Sequence, residues 1–189
     1  MLVTKSKILG ATLMVWCLAT GSAFADTWTV DHDESRLGVT ATQMGSEFTA
    51  AFESFRADIE FDPDALAEAH ARIEIDVASF NSGSRDRDSN VTNPEWFAAE
   101  DHPEAVFETT AFRETDQGFE ADATLSIKGV SRDVTLPFTL DIDGDRAHMQ
   151  GELEIVRTAF DVGEGDWESG DTVGLDVRVI VDLVATRAD

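Results

Sequence analysis

The sequence predicts an all-β chain, about eight antiparallel strands closing into a barrel, and two stretches carry that reading. From Phe119 to Ile142 apolar residues fall on every second position through two runs joined at a tight Lys128-Gly129, the mark of a hairpin with one apolar and one polar face. From Val173 to Val184 valines and leucines alternate with other residues over a span near 40 Å, at about 3.3 Å per residue, and a strand that long coils around a barrel. Strands with one apolar face must close around a common interior.

Residues 1–25 form a signal peptide: Lys5 and Lys7 precede the apolar run Ile8 to Ala19, and Ala23-Phe24-Ala25 places small residues at −3 and −1 of a cleavage site. The run is shorter than the ~20 residues a bilayer requires, and no later run could span one. The remaining residues 26–189 suit a single exported domain, long enough to bury roughly 70% of its unfolded surface. Cys17 leaves with the leader, so neither disulfides nor thiolate chemistry are available.

The strands follow in order. Leu37, Val39 and Ala41 alternate first. Phe48, Ala50 and Phe52 run into Phe55, Ala57, Ile59 and Phe61 with a one-residue break, read as a bend in one strand. Asp62-Pro63-Asp64 predicts a short helix through Ala69, with Asp62 as N-cap. Ala71, Ile73, Ile75 and Val77 form the next strand. Alternation stops from Ser79 to Pro103, where charged, Asn and Gly residues surround the apolar pair Trp96-Phe97 and a second short helix is expected within the segment. It returns with Ala105 to Ala111, the hairpin, Ala147 to Ile155 after an Asp143-Gly144 turn, and the last strand.

Net charge narrows the partners. Without the leader, 12 basic residues face 38 acidic ones, a charge of −26. Nucleic acid and electrostatic docking on the anionic headgroups of a bilayer surface both need Lys and Arg to neutralise phosphates, so the charge argues against each. The four histidines lack metal-ligand spacing; HExxH and GxSxG motifs are missing; Gly163-Glu164-Gly165 does not sit at a strand-to-helix turn; and Asp141, Asp143 and Asp145 lack the later glutamate of a calcium loop. No catalytic residue, catalytic cofactor or metal is therefore assigned.

The chain also resembles a known family, the YceI-like proteins. The shared residues are Trp28-Thr29-Val30-Asp31 with Ser35; Ser82-Gly83 with Arg85-Asp86; Trp96-Phe97 with Pro103 and Phe107; Leu125-Ser126-Ile127-Lys128-Gly129-Val130; Leu136-Pro137-Phe138; and Arg157-Thr158 with Phe160-Asp161-Val162-Gly163. The resemblance implies a periplasmic, lipocalin-like barrel whose elongated apolar tunnel binds a polyisoprenoid, either a polyprenyl phosphate or an isoprenoid quinone. It also suggests a cytochrome b561-type membrane protein as partner; a homodimer stays open. This chain departs from the family at Glu34, commonly His, and at Asp161, commonly Gly.

The candidate tunnel lining is Phe48, Phe52, Ile73, Ile75, Phe107, Leu125, Leu136, Phe138, Met149, Leu153, Leu175, Val177 and Val179. Alternation alone favours a solid core, and the resemblance reverses that preference toward a tunnel. Arg85, Arg87 and Lys128 are candidate cations for a polar headgroup, and Trp96 and Phe97 for a lid at the mouth. A barrel isomerase or hydrolase and a filled-core structural domain are the alternatives. Only one lysine, Lys128, follows the leader, against eleven arginines. Such an acidic, lysine-poor surface suits high salt, where self-repulsion is screened. Thermal stability is expected to rise from low to molar salt; a flat or falling melting temperature would contradict this.

Overall fold

The alternating runs become eleven strands in the computed structural model, which describes residues 25–188. The signal-peptide assignment thus lies, apart from Ala25, outside the described residues. The strands are β1 (Thr27–Val30), β2 (Arg36–Gln43), β3 (Ser46–Phe52), β4 (Phe55–Glu60), β5 (His70–Asp76), β6 (Phe80–Asn81), β7 (Glu104–Thr115), β8 (Gly118–Ile127), β9 (Val130–Asp143), β10 (Arg146–Val156) and β11 (Asp176–Arg187). Three staves of the barrel are interrupted strands. β1 and β2 pair with successive stretches of β11; β4 and β3 pair with β1 and β2; and β5 and β6 continue on β4 and β3. With β7 to β11 these staves make a closed antiparallel ring of eight, sealed where β1 meets β11.

The first break is held by side chains. The Asp31 carboxylate accepts the amides of Asp33 and Glu34, at 3.0 and 3.3 Å. The Ser35 hydroxyl accepts the Val184 amide at 3.0 Å and donates to the Val184 carbonyl, which also takes the Asp31 amide at 2.8 Å. Backbone groups that the interrupted ladder would strand are thereby satisfied. β1 has only four residues, too short for a period to show.

Two expectations need correction. Residues 62–69 form successive turns instead of a helix. The Asp62 carboxylate does accept the Asp64 amide, at 2.9 Å, but Ala65 bonds the Asp62 carbonyl and Glu68 the Ala65 carbonyl, three residues back in each case. Adjacent β4 and β5 need only a compact connection there, and Leu66 and Ala69 pack on the core. The last strand begins at Asp176, not Val173, because Arg157 draws the preceding carbonyls away: its amide bonds Leu175 and its Nε bonds Gly174, both at 2.9 Å. Val173 keeps a single bridge to Gln43. The expected short helix of the irregular segment is α1 (Arg85–Val91).

The inward rows carry much alanine. Ala41, Ala71, Ala105, Ala121, Ala147 and Ala185 point inward among larger residues, and Val177, Val179, Met149 and Leu153 remain partly accessible because they face space. Outside, ion pairs tie neighbouring strands, Arg56 to Glu74 and Glu104, Arg72 to Glu108, and Arg113 to Glu120 and Asp122, and Arg72 also pairs with Glu74 along β5. On β11 the Asp182 carboxylate meets His148 at 2.6 Å and Gln150 at 3.2 Å. The bond from His148 holds Asp182 below the ordinary carboxylate range. A carboxyl with a depressed folded pKa stabilises above its unfolded pKa and loses that contribution as pH falls through the folded one. His148→Ala should move the Asp182 titration, followed by carboxyl NMR, up toward the ordinary value.

The ring is not evenly sealed. β9 pairs with β8 from Val130 to Phe138, then with β10 only from Phe138 to Asp143. Beyond Gly151 and Phe138 the two strands part, and Pro137, which has no N–H to lose, stands at the parting. Every second amide of Glu152–Val156 should exchange with solvent hydrogen faster than those of Arg146–Gly151; equal protection would mean the seam is closed.

Candidate functional site

The barrel encloses a cavity of about 490 Å³, within the roughly 300–1,000 Å³ of small-molecule sites. A filled core is therefore not what the alternating residues build. Twelve of the thirteen candidate lining residues border it: Phe48, Phe52, Ile73, Ile75, Phe107, Leu125, Leu136, Phe138, Met149, Leu153, Val177 and Val179. Leu175 does not. It precedes β11 and packs toward Gly170, where an added Cβ would come within 2.9 Å of its side chain.

The ends of the cavity differ. At the far end Phe61, Phe112, Phe119 and Phe138 meet mostly edge to face, with centroids 5.1 to 6.2 Å apart. Trp28, beside Arg187, donates its indole N–H to the Phe61 carbonyl at 2.8 Å. At the other end lie α1, the β2–β3 hairpin and the segment after β10, and here the lining becomes polar: Gln43, Ser84, Asp86, Arg87, Asn90 and Arg157. Asp86 and Asn90 are also exposed, so the cavity meets solvent beside α1.

Of the three candidate cations, only Arg87 borders the cavity. Its guanidinium lies 4.5 Å over the Phe48 ring and bonds Ser82 Oγ at 3.0 Å and Gln43 Oε1 at 3.1 Å, with a longer reach of 3.4 Å to the Ser82 carbonyl. No carboxylate pairs with it among the described residues. Two of its five N–H groups remain without a partner there. Arg85 points from the exposed face of α1 and stays off the cavity. Lys128, at a backbone φ of 51°, ties the β8–β9 turn to the segment after β10 through the Asp161 carbonyl at 2.9 Å and the Glu164 carboxylate. Both are corrections: one cation faces solvent, the other is engaged in a clasp.

Trp96 and Phe97 do border the cavity. Phe97 meets Phe52 edge-on at 6.0 Å, and Phe52 meets Phe80 at 5.6 Å. Trp96 lies between Trp167, at 5.5 Å, and the Arg157 guanidinium, at 5.3 Å. The Glu95 carbonyl accepts the amides of Gly163 and Glu164, at 2.7 and 2.8 Å. These bonds join the two segments that cap the barrel.

Arg157 is the residue that alternation could not find. Only 3% exposed, it gives all five donors to carbonyls: Nε to Gly174, Nη1 to Val162 and Gly163, Nη2 to Val173 and Trp167. No carboxylate neutralises it among the described residues, and burial draws its pKa below the ordinary arginine value. Its signal in the sequence is its place just after an alternating strand, ahead of a glycine-rich stretch with no other cation before Arg178.

Residues 28–185 match the YceI-like domain. The chain belongs to the YceI-like family. Among its relatives, Protein YceI of Salmonella arizonae is 25% identical over 167 residues, 84% of this chain and 87% of its own. The UPF0312 protein plu2095 of Photorhabdus laumondii is 26% identical over 135 residues, 70% of each chain. Among solved structures, BcnA of Burkholderia cenocepacia superposes with a TM-score of 0.80 at 34% identity, over 84% of this chain and all of that one. A polyisoprenoid binding domain from Saccharophagus degradans shares the fold at a TM-score of 0.67 and 17% identity, over 86% of this chain and 99% of its own.

Both departures from the family pattern have local explanations. Asp161, where glycine is common in YceI-like proteins, sits at φ 55° and ψ 29°, in the left-handed region that Asp tolerates better than most residues. Glu34 pairs with Arg146 on the outer surface, away from the cavity. Arg157→Ala would strand five carbonyls, and the expected loss is above about 3 kcal/mol of stability. Arg157→Lys, with three donors and no fork, should recover only part of it in a denaturant titration.

Proposed function

We propose that this protein holds a long-chain isoprenoid lipid, a polyprenyl phosphate or an isoprenoid quinone, and carries or stores it in the periplasm. The observation behind this reading is the apolar cavity with an unneutralised Arg87 at its polar end, in a chain whose formal charge is −24. An isoprenoid tail offers several hundred Å² of apolar surface, whose transfer contributes on the order of 10 kcal/mol at about 25 cal/mol per Å², before association costs. The tail would run along Val177, Val179 and Met149 toward the phenylalanine cluster, and the headgroup would stay near Arg87. Binding is also in keeping with the shared fold of the polyisoprenoid binding domain from Saccharophagus degradans. The lining holds a single carboxylate, Asp86, and no histidine, which offers an acid–base mechanism no second partner. The leader at residues 1–25 supports export.

Mass spectrometry of an organic extract of protein purified under non-denaturing conditions from a bacterial periplasm tests the reading. A stoichiometric isoprenoid is expected; an empty extract, with no uptake of ubiquinone or polyprenyl phosphate in a tryptophan-quenching titration, would refute it. Two substitutions sharpen the test. Val179→Phe fills space at a partly accessible inward position and should raise the melting temperature of the empty barrel while abolishing uptake. Arg87→Gln removes the charge at the mouth and should weaken a phosphate-headed lipid about tenfold.

A further inference from the structure

We infer that the seam between β9 and β10 is a side door to the cavity, through which a ligand tail enters and leaves sideways, and that Lys128 is its latch. The inference rests on the ligand-holding reading above and names the route and the residue that govern exchange. Each lip of the seam is anchored on its far side only. β9 keeps its ladder with β8 from Val130 to Phe138, and β10 keeps its ladder with β11 as far as Val156 opposite Asp176, but no pairing joins the two lips beyond Phe138 and Gly151. The lips therefore form a V with its vertex at Gly151. There the strands lie so close that an added Cβ would fall 2.8 Å from the Pro137 carbonyl oxygen and 3.1 Å from the Phe138 Cβ. The V widens toward the α1 end of the barrel, and it gives onto the hollow: Leu136 on one lip and Leu153 and Ile155 on the other all border the cavity.

Side chains, not backbone bonds, close the V. The turn after β10, Arg157–Phe160, packs on both strands. Phe160, 2% exposed, belongs to the buried cluster against which Val134 of β9 and Ile155 of β10 rest. Across the open top, Lys128 reaches from the β8–β9 turn to the Asp161 carbonyl at 2.9 Å and to the Glu164 carboxylate, both beyond the end of β10. Parting two fully paired staves breaks a row of backbone hydrogen bonds, whereas the seam needs only the release of one lysine and the withdrawal of one aromatic ring. Glu164 is more than half exposed, so its pair with Lys128 is weak and lets go readily. A tail threading lengthwise beside α1 would pass Ser84, Arg87 and Asn90 one apolar unit at a time; the seam admits it between apolar lips.

Stopped-flow tryptophan quenching with a menaquinone carrying a geranylgeranyl side chain tests the route. Lys128→Met keeps the stem and removes the charge. It should speed uptake and release alike by about tenfold, the factor for one charge-assisted hydrogen bond lost from the closed state, and change the affinity by less than about twofold. Were Lys128 only a brace for the fold, release alone would quicken and affinity would fall. Glu164→Gln, which leaves the Asp161 bond in place, should give a smaller rise in both rates. The converse protein carries Lys128→Cys and Glu164→Cys bridged by a bismaleimide whose spacer holds a disulfide; the one natural cysteine, Cys17, lies in the leader. Bridging should slow both rates at least about tenfold, and reducing the spacer should restore them. Rates indifferent to the bridge, with binding intact, would overturn the inference alone and send the tail past α1. Hydrogen exchange of the empty barrel is an independent check: Lys128→Met should quicken exchange across Glu152–Val156, and unchanged exchange would also overturn the latch. If the natural protein took up neither this quinone nor geranylgeranyl phosphate, the ligand-holding reading would fail, and the route with it.

Discussion

Eight closed strands fix the circumference of this molecule, and the side chains aimed inward are too small to fill it. Everything that makes a site depends on that mismatch. An eight-stranded ring is at the size where an interior either just fills or holds one small ligand. Inward alanines at positions 71, 105, 121, 147 and 185 decide the matter toward a hollow of about 490 Å³. Phenylalanines gather at one end of that hollow and a polar rim at the other, so an amphiphile has one favourable orientation.

A hollow barrel is stable only if its ends are controlled, and Arg157 controls one of them. By taking carbonyls from Val162, Gly163, Trp167, Val173 and Gly174, it folds the stretch after β10 into a cap. A lysine could not serve five acceptors, and a neutral residue would leave them stranded. Gly163 records how close this packing is: a Cβ there would fall about 2 Å from the guanidinium. Lys128 clips the same cap to the β8–β9 turn, and the Glu95 carbonyl clips it to the α1 segment. The cations that brace the cap or border the cavity thus divide into builders, Arg157 and Lys128, and one with donors to spare, Arg87.

Much of the ring was legible in the sequence, since each stave buries one face and alternation reports that directly. Phe119 to Ile142 reads as two strands and is two strands; the bend at Glu53-Ser54 separates β3 from β4. What escaped were features without a period. β1 is too short to alternate visibly, Pro63 after Asp62 resembles a helix start but closes a turn, and Leu175 continues a written pattern that Arg157 interrupts in space. The site divides in the same way. Residues that merely point inward could be placed by counting, whereas Arg85 and Lys128 differ from Arg87 only in tertiary surroundings. Phe61 continues the alternation of β4, whereas Trp28 sits in a strand too short to alternate and Phe112 lines the hollow past a bulge between Thr109 and Ala111 that shifts the register of β7.

On the proposed reading the hollow is occupied by a long apolar chain with a polar head at the α1 end. A crystal structure of protein taken directly from a bacterial periplasm, without refolding or delipidation, tests it most directly. Continuous electron density running from Arg87 and Trp96 along Val177, Val179 and Met149 toward Phe138 is the predicted result. A barrel whose inner side chains have closed on one another, or whose cavity holds only ordered water, would contradict it.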